Sequence, residues 1–392
     1  MKVHGETVLF GPFIGEFGWE VLFWQGWVRR ACRTVFKDYH KVAASFPGRY
    51  PFYPDVDEFW GHPQEITSRK FVSSKGYTTD NWFVSLAERG QNRDLKKDAE
   101  ELWEGSLLLD TLLEHYKKKL PDDALILSPA GWIDLPDLPP AVGTKPEKHD
   151  DGTFTLPTVH IPPQFQVLEP IRATEKGKAI LQNLVAPDEK VIAIFPRARL
   201  TRRPDKNWPE EKYVALIDWI SKKFTEFRIV VLGEPGGTYF ADGTMPEGCV
   251  DLINIESESR MDVQAAALEQ ATIAAGSVSG ATVFALVCGC PTLQWGPIEV
   301  IRQNALDNYL KTSIFYYPFA NPAVSEIATL FDRFLRWHQN RQHQKAFSKW
   351  GFQMPLVKAQ FTLWRYQYQL WRTGRIDQVE LVYKPTQEEG GG

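Results

Sequence analysis

The chain has 392 residues, 43% apolar and 24% charged, with a formal net charge of −4. That balance describes a globular chain long enough for two domains, and it excludes a generally basic nucleic-acid binder. No run approaches the roughly 20 apolar residues of a membrane span.

The N-terminus lacks a basic region followed by an apolar block, so no signal peptide is expected. The four cysteines, Cys32, Cys249, Cys288 and Cys290, match no zinc or redox spacing. Cys288 and Cys290 are expected to be core thiols, and a reducing cytoplasm is the expected setting. Fourteen tryptophans fit large apolar contacts or sugar-stacking platforms, with core packing the commoner use.

Thr7–Phe10 reads as a first strand. Gly11-Pro-Phe-Ile-Gly15-Glu16-Phe17-Gly18-Trp19-Glu20 follows, with glycines that permit a tight turn and close approach to a ligand. The dinucleotide fingerprint G-x-G-x-x-G is absent there. Val21–Val28 reads as helix. Glu16 and Glu20 are candidate general bases, against the plainer reading of Glu16 as a carboxylate favoured by a helix N-terminus. Lys41–Ser45 reads as a second strand. Phe46–Pro63, rich in proline and aromatics, reads as an ordered loop whose Asp55, Asp57 and Glu58 are either exposed acids or hydroxyl-binding groups. Asp94–Leu120 has helical period, and Ala124–Leu127 is a short strand. Pro136–Pro170 lacks periodicity and reads as irregular, partly a linker.

Ala173–Leu184 is a helix candidate, and Val191–Phe195 a buried strand. The loop Pro196–Pro209 then carries Arg197, Arg199, Arg202, Arg203 and Lys206. Cations at the carboxyl end of a strand suit an anion, phosphate above all; a solvated charged loop is the plain alternative. Glu210–Phe224 reads as an amphipathic helix with Tyr213, Leu216, Ile217 and Ile220 on its buried stripe. Arg228–Gly233 is a parallel strand, and the following Gly233 and Glu234 stand where nucleotide contacts form. Val250–Ile253 is a weak strand. Ser259 has capping-box spacing before a helix over Asp262–Gln270. Ile273–Ala275 is a strand, followed by Gly276-Ser-Val-Ser279-Gly280-Ala281-Thr282 and a helix over Val283–Cys288. Small residues at a helix start let amides and hydroxyls face a phosphate, or simply cap the helix. Pro291–Pro297 is a strand and turn. Ser325–Gln339 reads as helix with Ser325 as N-cap. Arg333–Arg375 interleaves basic and aromatic residues, which fits a terminal helix pair with a basic outer face or a single-stranded nucleic-acid surface.

The stretch Thr201-Arg-Arg-Pro-Asp-Lys206-Asn-Trp208-Pro209 resembles the phosphate-binding loop of ADP-heptose:lipopolysaccharide heptosyltransferases. Gly276–Thr282 with Cys290-Pro-Thr-Leu-Gln-Trp-Gly-Pro297 is similar to that family's donor loop and next strand, and Gly15-Glu16 to its Gly-Asp. Three departures mark a divergent branch: Val278 where the family has Asp, Val283 or Phe284 where it has His, and Glu16 for its Asp. The resemblance implies an α/β fold of GT-B type, two Rossmann-like domains facing across a cleft. Residues 1–165 would form the acceptor domain and 166–324 the nucleotide-sugar donor domain. Helices in 325–376 are expected to cross back to the first, and 377–392 to be a loose tail.

The resemblance further implies an inverting, metal-independent glycosyltransferase with no cofactor beyond its nucleotide-diphosphate sugar. Thr201, Arg202, Lys206, Ser279, Gly280, Ala281 and Thr282 would hold the diphosphate, and Glu16 or, in reserve, Glu20 would be the base. The acceptor would be a glycan or another hydroxyl compound. A hydroxylated DNA base is an alternative acceptor, and a non-catalytic nucleotide- or glycan-binding protein is an alternative function.

Overall fold

A computed structural model describes residues 6–15, 17–67, 110–127, 147–148, 154–155, 161, 163–199, 204–242 and 244–342. Two parallel sheets organise them. The first contains β1 (Thr7–Phe10), β2 (His40–Ser45), β3 (Glu58–Gly61) and β4 (Leu125–Leu127), in the order β3-β2-β1-β4. Val8, Leu9 and Phe10 are all fully buried, as a strand covered on both faces requires. Between β1 and β2 runs a turn of helix, Phe17–Trp19, a π-helical segment, Glu20–Trp24, and helix α1 (Gln25–Arg33). The helix is therefore longer than Val21–Val28, and a wide turn at Glu20 opens it. A two-stranded antiparallel ribbon, β5 (Glu147–Lys148) with β6 (Phe154–Thr155), lies in the stretch expected to be irregular.

The second sheet is drawn from β7 (Lys190–Phe195), β8 (Phe227–Val231), β9 (Cys249–Asp251), β10 (Ala271–Ser277), β11 (Thr292–Trp295) and β12 (Ile314–Tyr317). Its order is β12-β11-β10-β7-β8-β9, and every pairing is parallel. Helix α2 (Glu175–Gln182) precedes it, with the Thr174 side chain accepting from the Gly177 amide as N-cap. Parallel strands need crossovers. Helices α3 (Glu210–Lys223), α4 (Ser257–Gln270), α5 (Gly280–Val287) and α6 (Ile298–Leu306) supply them. Helix α7 (Val324–Gln342) follows β12.

Both orders are those of a dinucleotide-binding α/β sheet. In the second, the chain grows outward from β7 to β9, then returns to restart at β10, so β7 and β10 are neighbours whose loops leave in opposite directions. The first repeats the pattern with β1 and β4. Such a switch point opens a crevice at the carboxyl ends of the strands. This is the two-sheet α/β architecture expected from the sequence.

Some local expectations change. Helix α4 starts at Ser257, with Glu256 at its N-cap position and no side-chain cap; Ser259 lies inside the first turn and is buried. Helix α7 likewise starts one residue before Ser325. Its Ile327, Phe331, Phe334 and Leu335 are buried in the second sheet's own core, and Phe331 packs edge-on to Trp219 of α3 at 6.3 Å. The described part of the C-terminal region thus rests on the second sheet; residues beyond 342 lie outside the description. Strands β3 and β12 and helix α6 were not read from the sequence.

One polar anchor sets the mouth of the first sheet. Fully buried His62 donates from Nε2 to the Phe13 carbonyl at 2.8 Å, which leaves Nδ1 to accept from the Tyr116 hydroxyl at 2.9 Å. Burial, with some help from nearby Arg49 and His115, lowers its pKa to about 3. A histidine that is neutral when folded and titrates normally when unfolded stabilises above its unfolded pKa and loses that contribution as pH falls. Between pH 6.5 and 5, unfolding measurements should show up to about 1.4 kcal/mol lost per pH unit that His62→Gln does not lose. Identical slopes for both proteins would exclude a neutral, anchoring His62.

Candidate functional site

The crevices of the two sheets face each other. On the first sheet, the loop after β1 is pinned by its backbone: Gly11 donates to Leu127 at 2.8 Å and Phe13 to Ala44 at 2.9 Å. Glu16, the candidate base at the end of this loop, lies outside the described residues. The next turn presses on the second sheet. Phe17 packs against Phe52 at 5.8 Å and against Phe284 of α5 at 5.5 Å, and Phe52 and Phe284 also meet at 5.5 Å. Behind them Gly18 abuts Gly280. A side chain at Gly280 would come within 3.0 Å of the Gly18 amide, so glycine is what lets the first turn of α5 approach the first sheet's loop.

Glu20, the reserve base, has no solvent exposure. Its carboxylate accepts from the Ser45 hydroxyl, from Arg49 Nη1 and from the Tyr53 hydroxyl, the last at 2.6 Å. Burial and the adjacent carboxylate push the Tyr53 phenol well above its ordinary pKa, so it stays a donor. The structure therefore engages Glu20 in holding the segment after β2. Arg49 is nearly buried too. Its guanidinium lies over the Phe46 ring at 4.4 Å and the Phe17 ring at 5.1 Å, and its Nη2 is 3.7 Å from Glu234 of the opposite sheet.

Three consecutive residues of that segment reach across. Gly48, at φ +77°, sits where a Cβ would fall 2.1 Å from the Ser257 carbonyl at the start of α4. Arg49 faces Glu234. The Tyr50 hydroxyl donates to Asp262 of α4, a buried carboxylate that also accepts from the Thr174 amide and hydroxyl.

On the second sheet, the basic loop after β7 has a defined base. Asn207 accepts from Arg197 Nη1 and, at 3.1 Å, from the Arg199 amide, and donates to the Arg199 carbonyl at 2.7 Å. Fully buried Trp208 donates from Nε1 to the Pro322 carbonyl at 2.9 Å and packs edge-on to Trp295 at 4.9 Å. Half-buried Lys206, in the short 3-10 turn Pro204–Lys206, is thereby held next to a fixed point. Thr201 and Arg202 lie outside the described residues. Arg197 itself is buried and structural, paired to Asn207.

The glycine-rich turn after β10 starts α5 with a capping box. The Ser279 hydroxyl accepts from the Thr282 amide, and the Thr282 hydroxyl accepts from the Ser279 amide while donating to the Ser279 carbonyl. The Thr282 hydroxyl is thus spent on the cap, the Ser279 hydroxyl keeps its own proton to donate, and Gly280 and Ala281 hold the orphan amides of a helix's first turn. Val278 is fully buried and packs against Gly296. Lys206 lies on the loop that leaves β7, and α5 begins on the turn that leaves the neighbouring β10. Gly233 and Glu234 follow β8 beside them. The Gly233 carbonyl is taken by buried Gln264 at 2.7 Å, while Glu234 is partly exposed and reaches toward Arg49.

The connecting segment is clamped to the first sheet. Glu169 accepts from Arg29 Nη2 at 2.6 Å and from Arg33 Nη1 at 2.6 Å, and Asp55 accepts from both arginines. Asp55 thus serves as a salt-bridge partner. A water-sized crevice between α1, this segment and the end of α5 is lined by Gln25 and Gln166, whose amide oxygens have no partner among the described residues; Lys206 and Glu234 do not line it.

Among the described residues, no group of three His, Cys, Asp or Glu stands where it could hold a metal ion, and no helix is long and apolar enough to cross a membrane. Sequence reasoning missed Arg49, Tyr50 and Asp262. The available signal was Glu20 itself, a carboxylate inside Trp19-Glu20-Val-Leu-Phe-Trp24, which demands a buried partner.

No family model matches the chain, and no curated protein does. Among solved structures it is similar to E. coli ADP-heptose LPS heptosyltransferase II, at 14% identity over 86% of this chain and 100% of that one, with a TM-score of 0.45. It is similar to E. coli heptosyltransferase WaaC with ADP, at 14% identity over 85% of this chain and 100% of that one, TM-score 0.44. A glycosyl transferase family 9 protein from Veillonella parvula is 10% identical over 89% of this chain and 92% of that one, TM-score 0.42.

Proposed function

We propose that this chain is a glycosyltransferase that moves a sugar from a nucleotide-diphosphate donor to an acceptor hydroxyl, in the manner of the heptosyltransferases it resembles. One observation carries the reading. In the second sheet β7 and β10 are neighbours; the loop leaving β7 carries Lys206, the helix leaving β10 opens with Gly280 and Ala281, and Gly280 lies against Gly18 in the segment that follows β1. An anion belongs on the first side and a proton acceptor on the other.

The donor diphosphate would lie across the start of α5, with Lys206, Thr201 and Arg202 around it. Ser279 and Thr282 support the cradle by fixing its shape, and Gly280 and Ala281 supply its amides. Negative charge grows on the diphosphate as the glycosidic bond breaks, so fixed donors aimed there stabilise the transition state more than the ground state. Glu16 would take the proton from the attacking hydroxyl, and displacement would proceed with inversion. These cations and amides would do the work of a metal ion. Gly233 and Glu234 would contact the nucleoside. Gly280 lies against Gly18, so a donor lying across the start of α5 would move these two segments apart.

Thermal unfolding against ADP, UDP, GDP, CDP and TDP tests the donor site, because a ligand of the folded state raises the midpoint. One nucleotide should raise it, and Lys206→Ala should weaken that effect and cost about 1.5–3 kcal/mol of transition-state stabilisation in transfer assays. No shift with any of the five would overturn the reading. Glu16→Gln should bind the same nucleotide as well as wild type and transfer about a hundredfold more slowly or worse. Undiminished transfer by that variant would remove Glu16 as the base.

A further inference from the structure

Arg49 is more elaborately held than a partner for Glu20 requires. Nη1 is committed to Glu20, which Ser45 and Tyr53 fix in turn. Nη2 faces Glu234 at 3.7 Å, an ion-pair separation too long for a good hydrogen bond. The Nε–H is buried and has no partner among the described residues, in a residue that is only 5% exposed. Two donor positions of a guanidinium are therefore incompletely used in a nearly dry setting, where an unmade hydrogen bond is costly. Such a group calls for an explanation, and a ligand that completes it is one.

Its surroundings say which ligand. Phe46 and Phe17 hold the guanidinium plane, and the edge of the same Phe17 ring lies against Gly280. One aromatic ring therefore separates this cation from the first turn of α5. Glu234 follows β8, the strand beside β7, whose loop carries Lys206. A carboxylate facing a guanidinium there occupies the place of an anion, and its partial exposure leaves it free to turn away.

We propose that Arg49 is a binding residue for the donor's diphosphate, supplied by the first sheet to a cradle otherwise built on the second. This rests on the nucleotide-sugar reading above. In the free protein Glu234 stands in for the phosphate oxygens; on donor binding the Nη2 and Nε donors exchange that carboxylate for phosphate. Because Arg49 and the α5 amides come from opposite sheets, one diphosphate engages both, and its binding draws them together. Arginine suits the task, since its planar fork matches phosphate and its charge persists at any working pH.

The test compares equilibrium binding of the nucleoside diphosphate that wild type accepts, from the five above, with competition by the matching nucleoside. Arg49→Lys keeps the charge opposite Glu20 and loses the fork. It should weaken diphosphate binding about tenfold or more and change nucleoside binding less than twofold. A double variant, Glu20→Gln with Arg49→Gln, removes both buried charges together. It should show the same selective loss while its unfolding midpoint without nucleotide stays near that of wild type. If the double variant does not fold, Arg49→Lys decides alone. Unchanged diphosphate affinity in Arg49→Lys would overturn the proposal while leaving the donor site intact. Equal losses for diphosphate and nucleoside would overturn it as well, reducing Arg49 to a shaper of the fold. Wild type that binds none of the five would overturn the donor reading and this proposal together.

Discussion

The carboxylate of Glu20 is sealed from water, and the mouth of the first sheet is arranged around satisfying it. A buried charge is tolerated only when it is paired and hydrogen-bonded. Arg49 supplies the charge, and Ser45 and Tyr53 supply neutral donors. These three come from the end of β2 and the turn after it, so the pairing fixes that segment against the helix after β1. It also has a geometric price. To reach Glu20, the Arg49 side chain must lie between Phe17 and Phe46, which orders the aromatic surface that meets α5. The ion pair is therefore less a source of net stability than a specification of shape, and what it shapes is the wall of the cleft.

The second sheet solves the opposite problem, holding positive groups near one another on a loop. Repulsion among cations would spread an unconstrained loop. Asn207 closes its base by bonding to Arg197 and to both backbone groups of Arg199, and Trp208 is locked under it by Trp295 and the Pro322 carbonyl. The strain of gathering charge is carried by a neutral amide and a buried indole. At α5 the same division recurs: Ser279 and Thr282 cap the helix with each other's groups, and the amides of Gly280 and Ala281 remain. In each case neutral groups fix the geometry: an amide and an indole in the loop, and paired hydroxyls at the helix start.

The central strands were legible because buried parallel strands are continuous apolar runs: Val191–Phe195 and Ile229–Leu232 identify themselves. The edges were not read. Glu58-Phe-Trp-Gly has neither alternation nor a long apolar run, whereas Ile314-Phe-Tyr-Tyr317 does carry the β-branched and aromatic signal of a strand and was overlooked. Helix α6 follows directly on Trp295-Gly-Pro297, which reads as a turn and hides the helix behind it. The charges of Pro196–Pro209 were visible, but the supports of that loop were not: Trp208 bonds to a carbonyl 114 residues away. Arg49 escaped for the same reason. A single arginine in Phe46-Pro-Gly-Arg-Tyr50 means little until folding sets it beside Glu20 and opposite Glu234. Local sequence encodes the elements and the charged groups, whereas their partners are set by topology.

The contacts between the two sheets differ in kind from those within each, and the difference bears on how the cleft can open. Arg49 remains with Glu20 whether or not the sheets separate, because both belong to the first. Tyr50 with Asp262, and Arg49 with Glu234, cross the gap. Among the described residues Asp262 has no cation bonded to it; two groups of Thr174 and the Tyr50 hydroxyl satisfy it, and Thr174 stays with it in the second unit. Parting the sheets thus exchanges one hydrogen bond to a carboxylate and one long ion pair for contacts with water. The apolar rings of Phe17, Phe52 and Phe284 oppose the parting, since their faces would be wetted. Meanwhile Glu169 is fastened to Arg29 and Arg33, so the connecting segment moves with the first sheet as far as that clamp, and the bending must fall between it and Thr174. An interface whose polar links are exchangeable with water, and whose apolar contact includes the Phe17, Phe52 and Phe284 rings and the Phe23–Tyr309 pair, is one that a ligand bridging both sheets can hold shut.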